Sequence, residues 1–259
     1  MKQSSLRIII AALASLLFMG SEVLAQGKVQ RFEIGGQFSR LSLYGPSSQA
    51  SLDPYFNVCK PFPLLCARVE LGLSARLTYN LTNHIAIEAE GNFFPGRPVG
   101  PPLGDFLPTQ NTVSGVPGGH IYQGQFGVKA GKRFKKVGLF MKIRPGFVGF
   151  TQVTQLTRIT TITAFNQFLQ EYHYDNPEFR TGKETYSSVD VGGVIEFYPS
   201  RRIVTRLDIG DTIIRYGIYR DAVGLVCVGF SSCPRYDVFV RPAETRHNLQ
   251  FSAGIGIRF

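Results

Sequence analysis

A two-residue repeat is the feature that most restricts this chain, and it is clearest from His247 to Phe259. Leu249, Phe251, Ala253, Ile255, Ile257 and Phe259 form one parity set, while Asn248, Gln250, Ser252, Gly254, Gly256 and Arg258 form the other. Successive side chains of a β-strand point to opposite faces, so this pattern describes a strand with one apolar face and one polar face. A helix carries its apolar stripe at spacings of three and four, which would mix the two sets.

Seven earlier runs obey the same rule. The first, about 31–41, sets Phe32, Ile34, Gly36 and Phe38 against Arg31, Glu33, Gly35, Gln37 and Ser39, and a parity slip at Arg40–Leu41 predicts a bulge. In the second, Val69, Leu71, Leu73, Ala75, Leu77, Tyr79 and Leu81 alternate with Arg68, Glu70, Gly72, Ser74, Arg76, Thr78 and Asn80. Only Thr82, Asn83 and His84 separate it from a third run, Ile85 to Phe93, and a short connection between alternating runs reads as a hairpin. The fourth and fifth runs, about 121–134 and 139–148, flank a turn at Lys135, Lys136 and Val137. The sixth and seventh, about 188–197 and 203–210, flank a turn from Pro199 to Arg202. Pro145 has no N–H to give a ladder, so a bulge is expected in the fifth run.

Four long connections, about 44–67, 95–120, 151–184 and 215–246, alternate with the short turns. The expected fold is therefore all-β: an eight-stranded antiparallel up-and-down transmembrane β-barrel with four long extracellular loops. The third loop opens with the β-branched run Thr154–Thr163, which can continue the fifth strand as a protruding hairpin.

Alternation alone does not say which set faces inward. A secreted soluble ligand-binding barrel would bury the apolar set, whereas a membrane barrel turns that set to lipid. Glycine favours the membrane arrangement, because Gly35, Gly72, Gly127, Gly131, Gly146, Gly192, Gly210, Gly254 and Gly256 all fall in the polar set. Glycine weakens an exposed strand, but inside a narrow barrel it makes room for a long neighbour. Charge favours it too. Nine cations of the polar set (Arg31, Arg68, Arg76, Lys129, Arg133, Lys142, Arg144, Arg206 and Arg258) face seven anions (Glu33, Glu70, Glu88, Glu90, Asp190, Glu196 and Asp208). Such near-neutrality suits an enclosed ionic network, since an unpaired buried charge costs several kcal/mol.

The first residues carry a basic start at Lys2 and Arg7, a twelve-residue apolar run from Ile8 to Met19, and Val23, Leu24 and Ala25. This predicts a secretory signal peptide over 1–25, with the barrel domain over 26–259. Twelve residues are too few for a spanning helix. The formal charge is +10, and removing Lys2, Arg7 and Glu22 leaves +9. In an exported chain such a charge points to anionic headgroups rather than to nucleic acid.

The signal peptide, the eight runs, the segments YNLTNHIAIEAEGNFF and QGQFGVKAGKRFKKVGLF and the final FSAGIGIRF resemble the OmpA/OmpX-like outer-membrane β-barrel superfamily. The resemblance implies a bacterial outer-membrane location, and it implies that the barrel-assembly machinery reads Phe259 as an assembly signal. It covers the mature chain as architecture and brings no active site.

Four cysteines in an exported chain predict two disulfides, and of three connectivities the local pairs Cys59–Cys66 and Cys227–Cys233 are the economical choice. His84 falls in a short turn, and His120, His173 and His247 fall at or beyond the long-loop rim. His247 with Ser252, or His120 with Glu244, are the available pairings for a lipid-modifying enzyme. No catalytic motif, metal-ligand spacing or cofactor loop accompanies them, so no enzyme activity, metal or cofactor is expected. Lys132, Arg133, Lys135, Lys136, Arg201 and Arg202 could meet inner-leaflet phosphates, and Arg215, Arg220, Arg235, Arg241 and Arg246 outer-leaflet ones. The expected protein is a monomer with a structural, adhesion or surface-recognition role carried by its loops. Its partners would be membrane lipids, lipopolysaccharide and an extracellular ligand. A narrow ion-conducting pore is the alternative.

Overall fold

Every alternating run forms a strand in the computed structural model, which describes residues 30–44, 67–96, 117–165, 171–225 and 235–259. The strands are β1 (Phe32–Tyr44), β2 (Ala67–Asn80), β3 (Ile85–Phe94), β4 (Pro117–Arg133), β5 (Val137–Phe165), β6 (Glu171–Phe197), β7 (Ile203–Tyr216), β8 (Tyr219–Leu225), β9 (Arg235–Arg241) and β10 (Glu244–Arg258). Eight of them close an antiparallel barrel in the order β1-β10-β7-β6-β5-β4-β3-β2, and β8 and β9 form a separate two-stranded ribbon. The signal-peptide segment and all four cysteines lie outside the described residues.

Closure is made by the two ends of the barrel segment. Phe32 N–H donates to the Phe259 carbonyl and Phe259 N–H to the Phe32 carbonyl, each at 3.0 Å. The two rings stack 6.4 Å apart and Phe32 also meets Tyr79 at 5.0 Å, giving an aromatic seam at the short-turn end.

Two expected bulges are absent. Pairing across Arg40–Leu41 is continuous with both neighbours, Arg40 opposing Phe251 and Leu71, and Leu41 opposing Gln250 and Glu70. The parity slip is instead a change in what the interior contains, for Arg40 is exposed and Leu41 fully buried. At Pro145 the register is the same on either side, with Gln125 opposite Gly146 and Val128 opposite Ile143, while Pro145 itself opposes Val189 of β6. A ring on the outer face needs only the loss of a ladder bond, not an inserted residue. The shifts fall elsewhere, between Gly118 and Ile121 of β4, beside Gly119 at φ +69°, and at two places in β5–β6. Extra residues there bend the strands at the long-loop rim, where the β5–β6 ribbon leaves the barrel wall.

β5 and β6 run far past the wall. Their pairing continues to Phe165 opposite Glu171, whereas β4 pairs with β5 only up to Pro117 opposite Val153. The twelve residues from Thr154 to Phe165 carry the ribbon about 40 Å beyond the barrel. The fourth connection, expected as a loop, contains the β8–β9 ribbon, which lies beside β5 and β6.

The two faces are opposite to those of a soluble protein. Phe38, Leu71, Phe126, Ile257 and Phe259 are 74, 68, 61, 59 and 60% exposed, while Glu33, Glu88, Lys129, Asp190 and Glu196 are wholly buried. On β2 the exposed band runs from Val69 to Leu81, and on β10 from Phe251 to Phe259. At about 3.3 Å per residue and a tilt of about 40°, these spans correspond to about 30 and 20 Å across a membrane, bracketing the apolar band of about 25 Å expected of such barrels.

Candidate functional site

Alternation throws every second residue of eight strands into a lumen just wide enough to be filled by side chains. The filling is layered. Nearest the short turns is an ionic network centred on Glu88 of β3. Arg206 Nη2 donates to it at 2.9 Å, and Lys129 Nζ and Arg144 Nη1 lie at 3.0 and 3.9 Å. Glu196 of β6 is ringed by Lys129, by Arg206 at 3.6 Å, Arg258 at 3.2 Å and Arg133 at 3.8 Å. Arg144 also grips Asp190 at 2.6 Å and contacts Glu90, and Lys142 shares Asp190 at 2.9 Å. Asp208 takes Arg206 at 2.8 Å, with Arg76 and Lys142 at 3.8 and 3.9 Å, while Glu33 takes Arg76 at 2.9 Å and Arg258 at 3.1 Å.

Among the described residues the interior therefore holds seven cations (Arg76, Lys129, Arg133, Lys142, Arg144, Arg206 and Arg258) and seven carboxylates (Glu33, Glu70, Glu88, Glu90, Asp190, Glu196 and Asp208). Arg31 departs from the expected set: it precedes β1, where the wall has ended, and its side chain is exposed. The Arg68 side chain lies outside the described ones. Glycine shapes the network as expected at Gly210, where a Cβ would collide with the Asp190 carboxylate. At the mouth, the Arg258 guanidinium lies over the Tyr198 ring at 4.1 Å and the Tyr198 hydroxyl donates to Glu196 at 2.7 Å. Burial, reinforced by the Glu196 charge, pushes that hydroxyl up to about 12.

Above the ions lies a neutral polar layer. Ser39 meets Ser252 at 2.8 Å and donates to Asn92 at 3.1 Å, Gln123 donates to Gln250 across the lumen at 3.3 Å, and Thr212 donates to Gln250 at 2.8 Å. Above that is an apolar cap of Leu41, Leu43, Phe94, Ile121, Val148, Phe150, Val153, Tyr186, Ile214 and Tyr216. Phe150, Tyr186 and Tyr216 close it with centroid separations of 5.0 to 6.5 Å. Sequence reasoning missed this cap. Its signal was present at Arg40–Leu41, where apolar residues change faces, but a slip of parity reads equally as a bulge.

The enzyme-like pairings are not assembled. Ser252 faces inward, hydrogen-bonded to Ser39, while His247 is on the outer wall with its Nδ1 at 2.5 Å from Asp211. His120 lies against Phe93 at 5.7 Å, and Glu244 pairs with Arg246 at 2.7 Å. His84 Nδ1 is 3.0 Å from the Gly131 carbonyl, which ties down the first short turn. Of the rim arginines, Arg215 is exposed on the outer wall and Arg246 is half-buried beside Glu244.

No protein-family model matches the chain, and no curated protein matches it significantly. Among solved structures it is similar to Neisserial surface protein A, with a TM-score of 0.44 and 10% identity over 90% of this chain and 100% of that one. It is also similar to the N-terminal β-barrel domain of Pseudomonas aeruginosa OprF, with a TM-score of 0.39 and 10% identity over 90% and 100%. Ail, the attachment invasion locus protein of Yersinia pestis, gives 0.38 and 12% identity over 88% and 97%. At such scores the assignment rests on the barrel's own geometry. An apolar outer wall, a closed ring of eight strands and a charge-paired interior make this chain an eight-stranded β-barrel of the outer-membrane type.

Proposed function

We propose that the protein is an integral barrel of a bacterial outer membrane whose role is surface recognition or adhesion, performed by the β5–β6 ribbon on the extracellular side. The barrel is the anchor, and lipids of the two leaflets are its solvent. The observation that carries this reading is the ribbon itself. No described strand pairs with the far edge of β5 beyond Val153, or with that of β6 before Ser187. Long free edges are a hazard that natural proteins blunt with charge and proline. β6 is blunted by Pro177, Glu178, Arg180 and Lys183, but in β5 only Arg158 interrupts the stretch from Thr154 to Phe165. The β5 edge past Val153, which no described strand extends, is where an extended segment of another protein would dock by β-strand addition. A lumen sealed by charge pairs and by the aromatic cap leaves diffusion through the barrel no part in this reading.

The test compares cells displaying the whole protein with cells whose ribbon, residues 154–183, is replaced by a two-residue turn. Adhesion to epithelial monolayers and to sister cells should fall to background in the shortened variant, while its barrel still shows a heat-modifiable gel shift. Equal adhesion by the two would overturn the reading.

A further inference from the structure

Five cations stand together at the short-turn end with no acid among them. The end of β4 carries Lys132, the turn that joins it to β5 carries Lys135 and Lys136, and the turn joining β6 to β7 carries Arg201 and Arg202; all five are exposed. The two turns abut, because β5 and β6 are paired neighbours and Tyr198 N–H donates to the Lys136 carbonyl at 2.9 Å. No carboxylate occurs from 132 to 137 or from 198 to 203. Arg133, by contrast, turns inward to Glu196 and is not part of the patch. The remaining short turn, Leu81 to His84, carries no lysine or arginine, and the exposed Arg31, just before β1, is separated from the two turns by β10.

Depth identifies what the patch meets. Phe134, Phe197 and Ile203 are 51, 41 and 39% exposed on the outer wall, and with Phe32 and Phe259 they mark the lower edge of the apolar band. The Lys132 ammonium lies 5.8 Å over the Phe134 ring, a cation held against a lipid-facing aromatic. The other four are within two residues of Phe134, Val137 or Ile203, at the level where headgroups begin. A long side chain there keeps its stem on apolar surface and its charge in the headgroup layer, whereas a soluble acidic partner would need the cations to project clear of the membrane.

We propose that these two turns form an interfacial binding site for anionic phospholipid of the periplasmic leaflet, with Lys132, Lys135, Lys136, Arg201 and Arg202 contacting headgroup phosphates. This rests on the outer-membrane reading above, which puts the short turns in the periplasm. Each cation near an anionic surface raises affinity about fivefold, and the effect fades beyond a Debye length. Their clustering on one flank would gather anionic lipid beside β4–β7 rather than evenly around the barrel.

The experiment uses the whole protein in vesicles of phosphatidylcholine mixed with phosphatidylglycerol, and reads the share of each spin-labelled lipid immobilised at the barrel wall. Wild type should hold phosphatidylglycerol about fivefold or more over phosphatidylcholine at low salt, with the preference shrinking as salt is added. Changing all five residues to glutamine should abolish it. Two partial variants, K132Q/K135Q/K136Q and R201Q/R202Q, should each lose part, which covers failure of the fivefold change to fold. The variant R158Q/R180Q/K183Q, which removes three charges from the far ribbon as K132Q/K135Q/K136Q does from the patch, should keep the preference, separating the patch from net charge. No lipid preference in wild type, or an unchanged one in the variants, overturns the site. Binding of a polyglutamate peptide to wild type in neutral vesicles, without any lipid preference, assigns the patch to an acidic chain and overturns it too. The gel shift on the same samples shows whether the barrel is intact, so loss of the barrel reading is seen separately.

Discussion

Single residues matter most where a charge has been taken out of water. Glu88 is wholly buried and its carboxylate faces Arg206, Lys129 and Arg144. Removing one member of a buried pair strands its partners, at a cost of about 3–5 kcal/mol. Glu88→Gln should therefore lower the urea midpoint of the refolded barrel sharply, and adding Arg206→Met in the same chain should recover part of the loss. Additive losses in that double-mutant cycle would contradict the pairing. Tyr198 gives a pH dependence of definite sign. Its hydroxyl ionises near 10.0 when free and near about 12 when folded, so the folded state holds its proton longer. The contribution is full below pH 10 and is lost as pH rises through 12. Unfolding monitored across that window should show stability declining with pH, and Tyr198→Phe should flatten the decline.

At the scale of elements, the β5–β6 pair divides into two parts with different duties. It is barrel wall where β4 flanks β5, up to Val153, and β7 flanks β6, from Ser187 on; beyond, it is a ribbon with neither. Nothing in the charge network or the wall ladder draws on the ribbon past residue 154. Replacing 154–183 by a short turn should therefore leave the urea midpoint and the gel shift of the barrel unchanged. A variant that failed to refold would show that the ribbon stabilises the wall. The alternating runs were legible because one face meets lipid or water and the other a packed lumen, so patterning and burial coincide along every strand. The ribbon was legible only as a tendency of Thr154–Thr163, since past the wall neither face is set between lipid and a packed lumen and strict alternation is not imposed.

For the whole molecule, the outward apolar band predicts that refolding from urea requires detergent or lipid; a folded monomer in plain buffer would refute a membrane barrel. The sealed lumen makes a second prediction. Wild type in a planar bilayer should show no conductance steps, because the paired ions and the cap of Phe150, Tyr186 and Tyr216 fill the section between the mouths. Steady ionic current through the unmodified protein would return the pore reading to favour.

By itself the sequence determined the architecture. Period-two alternation, repeated eight times with long and short connections in turn, admits one all-β closed ring, and the near-balance of charge and the siting of glycine in the polar set already pointed that set inward. Only the tertiary structure decided who pairs with whom, because a carboxylate such as Glu196 draws cations from three other strands (β4, β7 and β10) whose sequence separation is large. It also decided that Arg31 lies outside and that Leu41 turns inward to cap the lumen. Parity states which residues share a face. The height of each along a tilted strand, and therefore its neighbours across the barrel, is set by register, which no local pattern records.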